Sequence, residues 1–586
     1  MAGLASRFAE LNPFNDSLVE DEDQRGEDVE PTTIAGGGHS SWETNITQHR
    51  LRASSGLRSF LVKQNVFSAQ EAGLHDPVSL TPALHALLEK PHIQVPSYVT
   101  DRSRPLPEYF ISSSHNTYLM AHQLFGKTSA EGYATALKTG ARCIEIDAWD
   151  DDTNAEEPKV THGFTLVSRI PFRAACETIR DVVDSESTQR NSAPVLISLE
   201  NHCSAHGQMR LVQIMKEVWA DRLLSKEVRE KGHLEEEGLG GHVRLEELGS
   251  KIVVIVEYHF PGEPDSSDEE DSSSSSGSSD RSDGEREKQE EDARRARQEY
   301  KKQKATAPKT IIIPELAELG VYAQSVKPQD NSWFDPVPGF KDAPHHHLIN
   351  VSETQLAKHM PESNQQIARH NAQHLMRVFP KGTRVSSRNL DPVPFWGVGA
   401  HICALNWQTF GAAMQLNDAL FAGTQGFVLK PASLRGQTGG MIRRKKLRLH
   451  VAGATDVPIP ADRPADEVKP YVSCLLVHPG GEAAGSGKRK TKVYKQHKLG
   501  FLHKGENPPS TEPVWDEVLE WEYDDNELVF LRILIKSDDS FSRNPTFAVA
   551  AVRVLYAAAG WRFIRMLDLK GRETKCSLLV KVEMEG

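Results

Sequence analysis

The pattern of apolar positions changes twice along the chain. Between Leu106 and Ser204, short apolar runs end in polar groups: SSSHNTY (Ser112–Tyr118), ARCIEIDAWD (Ala141–Asp150), THGFT (Thr161–Thr165) and VLISLENHCS (Val195–Ser204). Alternation in CIEID puts Cys143, Glu145, Asp147 and Trp149 on one strand face and Ile144 and Ile146 on the other. Leu196, Ile197 and Leu199 read as a fully buried strand, with Glu200 where the run stops. SRIPFRAACETIRDVV (Ser168–Val183) and the stretch containing QMRLVQIMKEVWADRLL carry apolar residues three and four apart and predict helices. SKIVVIVEYH (Ser250–His259) predicts another strand, and KTIIIPELAELG (Lys309–Gly320) resumes the strand pattern. This βα rhythm predicts a parallel barrel rather than a sandwich.

From Met441 the chain turns basic at IRRKKLRLHV and then alternates in short strands. KPYVSCLLV, KRKTKVYKQ, LEWEYDD, LVFLRILIK, FAVAAVRV and SLLVKVEM are separated by turn signals and predict a β-sandwich. Two stretches carry no core pattern. Residues 1–50 are acidic, then Gly- and Ser-rich, and Pro264–Arg297 contains SSDEEDSSSSSGSSDRSDGEREKQEED; both predict disorder. Leu51–Lys90 has helical spacing, as in ALHALLEK. The resulting segments are 1–50, 51–104, 105–260, 261–308, 309–440 and 441–586.

A chain of 586 residues with these breaks holds several domains. Its formal net charge of −12 argues against a nucleic-acid partner. Six cysteines, none in a CxxC pair, predict a reducing, cytoplasmic compartment and neither zinc nor a disulfide framework. The N-terminus lacks the plan of a signal peptide and of a myristoylation site, and no apolar run approaches a membrane span, so membrane contact is expected to be peripheral.

An acid at the end of a buried parallel strand is where α/β barrels keep their chemistry. Glu145, Asp147 and Glu200, with Asn116, offer hard oxygen donors from three segments, a set that suits Ca²⁺. His115 and His162 lie beside them in sequence.

SSSHNTY, CIEIDAWD, THGFT and SLENHCS stand in an order and spacing that resembles the X half of the catalytic barrel in eukaryotic phosphoinositide-specific phospholipase C, delta-like in plan. ARHNAQHLMRVFP (Ala368–Pro380), ALNWQT (Ala404–Thr409) and GFVLKPASLR (Gly426–Arg435) resemble its Y half, and the tail resembles a C2 domain. The resemblance implies an α/β TIM-type barrel split into X and Y halves by the acidic linker, followed by a C2-type sandwich. It implies a short form, with 51–104 as an EF-lobe remnant lacking a calcium loop and with no pleckstrin-homology domain.

By the same resemblance the protein cleaves phosphatidylinositol or its phosphates to diacylglycerol and a soluble inositol phosphate through a cyclic phosphodiester. Asn116, Glu145, Asp147 and Glu200 match calcium ligands, His115 a donor to the phosphoryl charge, and His162 the general acid. Glu145 and Glu200 both qualify as the base. Arg377, Phe379 and Asn350 match headgroup contacts, and Leu124 and Phe164 a membrane-dipping rim, in which Leu166 and Thr383 replace bulkier residues. The partners implied are membrane phosphoinositides and an anionic membrane surface; a protein activator is not legible. Two lysines that relatives use on headgroup phosphates are replaced by Ile255 and Glu257, which predicts weak selectivity for a 5-phosphate. In the tail, Lys469, Ser540 and Thr546 stand where calcium-binding C2 domains often carry acids, although Asp538 and Asp539 remain, so weak or absent calcium binding is expected there. The run Lys488–Lys498 is a candidate for anionic lipid. Two competing readings are a slow phosphoinositide-binding scaffold and a glycerophosphodiesterase-type barrel; the X–linker–Y–C2 order speaks against the second.

Overall fold

The computed structural model describes residues 50–586 apart from 77–79, 121–126, 162–168, 189–191, 229–241, 260–310, 329–330, 335–339, 341–342, 382–388, 438–442, 460–462, 497–506 and 539–545. The acidic linker and the N-terminal stretch before residue 50 therefore lie outside the described residues.

The barrel strands are β1 (Tyr109–Ile111), β2 (Cys143–Trp149), β3 (Val195–His202), β4 (Ile252–Glu257), β5 (Gln324–Val326), β6 (His347–Ser352), β7 (Leu375–Phe379), β8 (Ile402–Cys403) and β9 (Phe427–Leu429). From β2 to β8 they pair in parallel in chain order. The ring closes through parallel bridges Ser113↔Cys143 and Ser114↔Leu405, which wedge the segment after β1 between β2 and the end of β8. Period 2 sets what fills the ring. Cys143, Leu196, Val253, Leu348 and Leu375 belong to an apolar cluster inside it, and Ile144, Ile146 and Ile197 belong to the layer under the outer helices. One step further along the strands the inward positions become polar: Glu145 pairs in register with Ser198, Asp147 with Glu200, and Asn350 with Arg377.

The outer helices follow their apolar stripes. Phe172–Ser187 buries Phe172, Ala175, Cys176, Ile179, Val182 and Val183, the spacing of one helical face, and starts after Pro171 rather than at Ser168. Ala205–Trp219 is capped by the Ser204 hydroxyl, which accepts from the Gly207 N–H at 3.3 Å. One expectation is corrected. KTIIIPELAELG does not extend a strand: among its described residues, Pro314–Ala317 form a short helix. Proline at the first helical position is preset for a helix and cannot donate to a ladder, while Ile312 and Ile313 pack against the barrel exterior.

The tail is an antiparallel sandwich of β10 (Arg444–Thr455), β11 (Pro470–Val477), β12 (Gly487–Lys490), β13 (Val514–Asp524), β14 (Phe530–Ser537), β15 (Thr546–Arg553), β16 (Gly560–Leu567) and β17 (Glu573–Glu585). The expected strand KRKTKVYKQ is shortened to Gly487–Lys490, an edge strand whose Lys488, Arg489 and Lys490 are exposed. Gly560–Leu567 is a strand that the sequence reading omitted.

Helices Ser55–Lys63 and Pro82–Leu88 do not stand alone. Leu57, Phe60, Leu61, Leu84 and Leu87 form one cluster with Ala452, Phe563 and Leu579 of the sandwich. Burial of such side chains contributes about 1.5–3 kcal/mol each, far more than the exposed Lys63–Asp516 pair at 3.2 Å. Gly453 permits the contact, since a Cβ there would meet Leu57 Cδ2 at 2.8 Å and the Pro513 carbonyl at 2.4 Å. The sandwich also shares a core with the barrel: Phe530, Leu534, Val549, Ala551 and Tyr556 cluster with Leu416, Ala419 and Leu420 of helix Ala412–Phe421. Arg532 Nε donates to Gln415 Oε1 at 2.6 Å across this junction. All six cysteines are buried and unpaired, and no helix among the described residues is long and apolar enough to cross a membrane.

Candidate active site

The carboxyl ends of β2, β3 and β7 deliver polar side chains to one mouth of the barrel. The segment after β1 reaches the same place because Ser114 N–H bonds the Cys143 carbonyl at 2.9 Å and His115 N–H the Leu405 carbonyl at 2.8 Å. There the chain reverses at Asn116, with φ of 45°, a conformation that asparagine tolerates better than most residues. This turn aims the Asn116 N–H at Glu145 Oε2, 2.8 Å away. The other Glu145 oxygen accepts from Arg377 Nη2 at 2.5 Å, in a pair where both side chains are buried. Arg377 Nη1 donates to Asn350 Oδ1 at 3.2 Å, and its guanidinium lies 5.8 Å from the centre of the Phe379 ring. Burial opposes the charge on Arg377, but Glu145 and the other acids outweigh it and raise its pKa.

Asp147 is buried one step nearer the mouth. The Tyr118 hydroxyl donates to its Oδ2 at 2.5 Å and lies 3.1 Å from Asn116 Oδ1, while Asp147 Oδ1 has no hydrogen-bond partner. Burial, then Glu200 and Glu145, push the Asp147 carboxyl well above its ordinary range. Glu200 is about half exposed, with Oε1 3.3 Å from His202 Nε2. Oxygens of Glu145, Asp147 and Glu200 all lie within 4.8 Å of one another. Three acids this close, with one arginine among them and one buried oxygen unpartnered, make a pocket of hard oxygen donors, the kind that suits a divalent cation with oxygen preference.

His115 is held from the Y half: its Nδ1 is 2.7 Å from Asn406 Oδ1, which can only accept, so Nδ1 carries a proton. Nε2 then faces the mouth, 3.8 Å from Glu145 Oε2. Of the replaced lysine positions, Ile255 is packed in the interior cluster level with Ser198, and Glu257 is half-buried beyond it. Burial raises the Glu257 pKa, Lys327 opposes that shift, and Glu200 adds to it. His162, Leu124 and Phe164, with Leu166 and Thr383, lie outside the described residues. Asp538 N–H bonds the Lys469 carbonyl at 3.0 Å, so the two tail loops do meet, but Asp539 and Ser540 are outside the described residues.

Four participants were not singled out from sequence. Tyr118 stands in SSSHNTY, two residues from Asn116; Asn406 stands in ALNWQT; and His202, stacked at 4.0 Å on Trp149, is two residues from Glu200 and so on its strand face. Those signals were present. Lys327 follows a strand of only three residues, which carries no readable period.

Comparisons with known proteins match three segments of the chain. The X domain of phosphatidylinositol-specific phospholipase C matches residues 102–258, its Y domain residues 316–433, and a C2 domain residues 445–556. The chain belongs to the phosphoinositide-specific phospholipase C family. Within that family it is 31% identical over 508 residues to 1-phosphatidylinositol 4,5-bisphosphate phosphodiesterase delta-3-A of Danio rerio, covering 83% of this chain and 58% of the relative. It is 32% identical over 550 residues to 1-phosphatidylinositol 4,5-bisphosphate phosphodiesterase 1 of Candida albicans, covering 82% of this chain and 47% of that protein. The chain thus spans about three fifths or less of the length of these phospholipase C relatives. The crystal structure of L. pealei PLC21 is similar in fold, with a TM-score of 0.65 and 21% identity over 100% of this chain and 68% of that one.

Proposed function

We propose that this protein is a calcium-dependent phosphodiesterase that cleaves phosphatidylinositol or its phosphates at a membrane surface, giving diacylglycerol and a soluble inositol phosphate. The observation that carries the reading is the convergence of Asn116, Glu145, Asp147 and Glu200 at the barrel mouth, with a buried Asp147 oxygen left unpartnered. These four residues would hold the calcium. Bound there, it supplies charge stabilisation at a phosphoryl oxygen and lowers the pKa of a nearby hydroxyl.

The chain's own groups do the rest. The inositol 2-hydroxyl serves as internal nucleophile, which makes the attack unimolecular. Asn406 fixes the His115 ring through Nδ1, turning Nε2 toward the phosphoryl oxygens. Glu145 already accepts from Arg377 and from the Asn116 N–H, whereas Glu200 is half-exposed, and this favours Glu200 as the base that takes the 2-hydroxyl proton. His162 gives a proton to the departing diacylglycerol oxygen and then activates water against the cyclic intermediate. Asn350, Arg377 and Phe379 line the headgroup side, with Arg377 shared between Glu145 and any phosphate that enters. Leu124 and Phe164 are assigned to the apolar rim, and the exposed edge Lys488–Lys490 supports contact with anionic lipid. Cytoplasmic, peripheral action fits these surfaces.

The test is to incubate vesicles of phosphatidylinositol, its 4-phosphate and its 4,5-bisphosphate with the protein, with calcium and with chelator, and to identify the water-soluble product. Inositol phosphate is expected with calcium only. Asp147→Asn, which removes one charge from the pocket, should lower the rate by at least about a hundredfold. Cleavage that persists in chelator, or binding of vesicles without product, overturns the proposal.

A further inference from the structure

The opposite end of the barrel carries a second cluster of ligand-type side chains. His345 and His346 immediately precede β6, and His242 lies in the approach to β4, so all three stand at the amino ends of the strands, away from Glu145 and Asp147. Each offers a ring nitrogen, and those nitrogens lie within 4.8 Å of one another. The His242 and His345 rings are parallel within 4°, with centroids 5.5 Å apart, and the His346 ring is 4.6 Å from His345 and 5.4 Å from His242. His346 is only 7% exposed. Its Nε2 and the Nε2 of His345 are buried with no hydrogen-bond partner, as is Nδ1 of His374, whose ring is 6.1 Å from His242.

Buried imidazole nitrogens are ordinarily paired, and a native fold seldom leaves neighbouring ones empty-handed. We propose that His242, His345 and His346 form a binding site for a divalent transition-metal ion of the zinc class, distinct from the carboxylate pocket. The donor chemistry selects the ion. Imidazole suits zinc, copper and nickel, whereas calcium takes oxygen. Zinc–nitrogen bonds of about 2.0–2.1 Å need nitrogens about 3.3 Å apart in a tetrahedron, so the rings must close by on the order of 1 Å. His242 and His345 are only partly buried. Neutral imidazole is the form that ligates. Water would complete a tetrahedral set. The ring of His346 is also braced edge-on by Tyr322 at 5.2 Å.

The chain positions assign a role. His242 comes from the X half and His345 and His346 from the Y half, on either side of the acidic segment 260–310. An ion held by all three ties the two halves together at the barrel base, independent of what the mouth binds.

The test uses the full-length chain without a histidine tag, stripped with chelator and then saturated with calcium to occupy the carboxylate pocket. Zinc is titrated against a chromogenic competitor, and thermal unfolding is followed in parallel. One zinc per chain and a raised Tm are expected. His242→Ala and His345→Ala, partly buried and so tolerant positions, should each weaken zinc binding at least about tenfold. They should keep calcium-supported activity, which reports that they fold, and Asp147→Asn should bind zinc like the wild type. The proposal is overturned if the calcium-saturated wild type binds no zinc, or if both histidine variants bind it undiminished. His346→Ala is the harsher variant, and His346→Gln at the same position guards against simple failure to fold.

Discussion

At the carboxyl ends of β2 and β3 stand Glu145, Asp147 and Glu200, hard oxygen donors partly balanced by Arg377; at the amino ends of β6 and β7 stand His345, His346 and His374, uncharged nitrogen donors. Different strands of one barrel carry the two groups, and between them lie Cys143, Leu196, Val253, Leu348 and Leu375, an apolar layer with no charge to pass. A barrel strand reverses its chemistry within two or three inward positions. The difference teaches that the two ends offer different donor chemistry and should respond to mutation separately.

The largest expected effect lies at the mouth. His162→Ala should slow cleavage of phosphatidylinositol by about 10²–10⁴-fold, the usual worth of a general acid, and much less for an analogue with a good leaving group. Equal losses on both substrates remove His162 from that role. Next is Asn406→Ala, which frees the His115 ring and should cost about 10–100-fold in kcat, as loss of an orienting partner does elsewhere. It should leave zinc affinity at the base unchanged, and a loss there breaks the separation of the two ends.

Headgroup choice comes third. A charge-assisted contact to phosphate contributes roughly 1.5–3 kcal/mol, or on the order of ten- to a hundredfold. Glu257→Lys should raise cleavage of the 4,5-bisphosphate relative to phosphatidylinositol by about that factor. The structure makes it a cleaner variant than the double change with Ile255→Lys, because Ile255 is 2% exposed and a lysine there meets the barrel core. A wild type that already prefers the bisphosphate about a hundredfold, unmoved by the mutation, rules this reading out.

The smallest effect is on stability, and it sharpens the contrast from the base. Burial holds His346 and His370 at about 3 and His347 at about 4, with His242, His345 and Lys430 adding repulsion around them. Folded values below the unfolded value of about 6.5 mean that the stability is present above that pH and is lost as pH falls toward 4. In chelator, Tm should fall by several degrees between about pH 7 and 5, and less in His370→Asn. A Tm flat across that window would falsify the neutral assignment.

Much of the mouth was legible because strand period fixes faces: Glu145 and Asp147 share one side of CIEIDAWD, and Glu200 ends a buried run. Its pairings were not. Arg377 and Glu145 are separated by 232 positions, and only ring closure brings them to 2.5 Å. The strand Gly560–Leu567 escaped because both its faces are covered, Phe563 by the N-terminal helices and Ile564 and Met566 by the sandwich core, which erases the alternation. KTIIIPELAELG misled because three isoleucines read as strand while the following proline started a helix. The histidine group went unread for a plainer reason: His242 and His345 meet only when the base of the barrel is assembled.

Every residue of Ala412–Phe421 is buried, on one side by the barrel and on the other by strands of the tail. The tail is therefore a bracket, bolted to the barrel without a joint. A tilt of the sandwich would therefore carry the mouth with it. A nick between Leu434 and Arg444 should leave the two pieces travelling together.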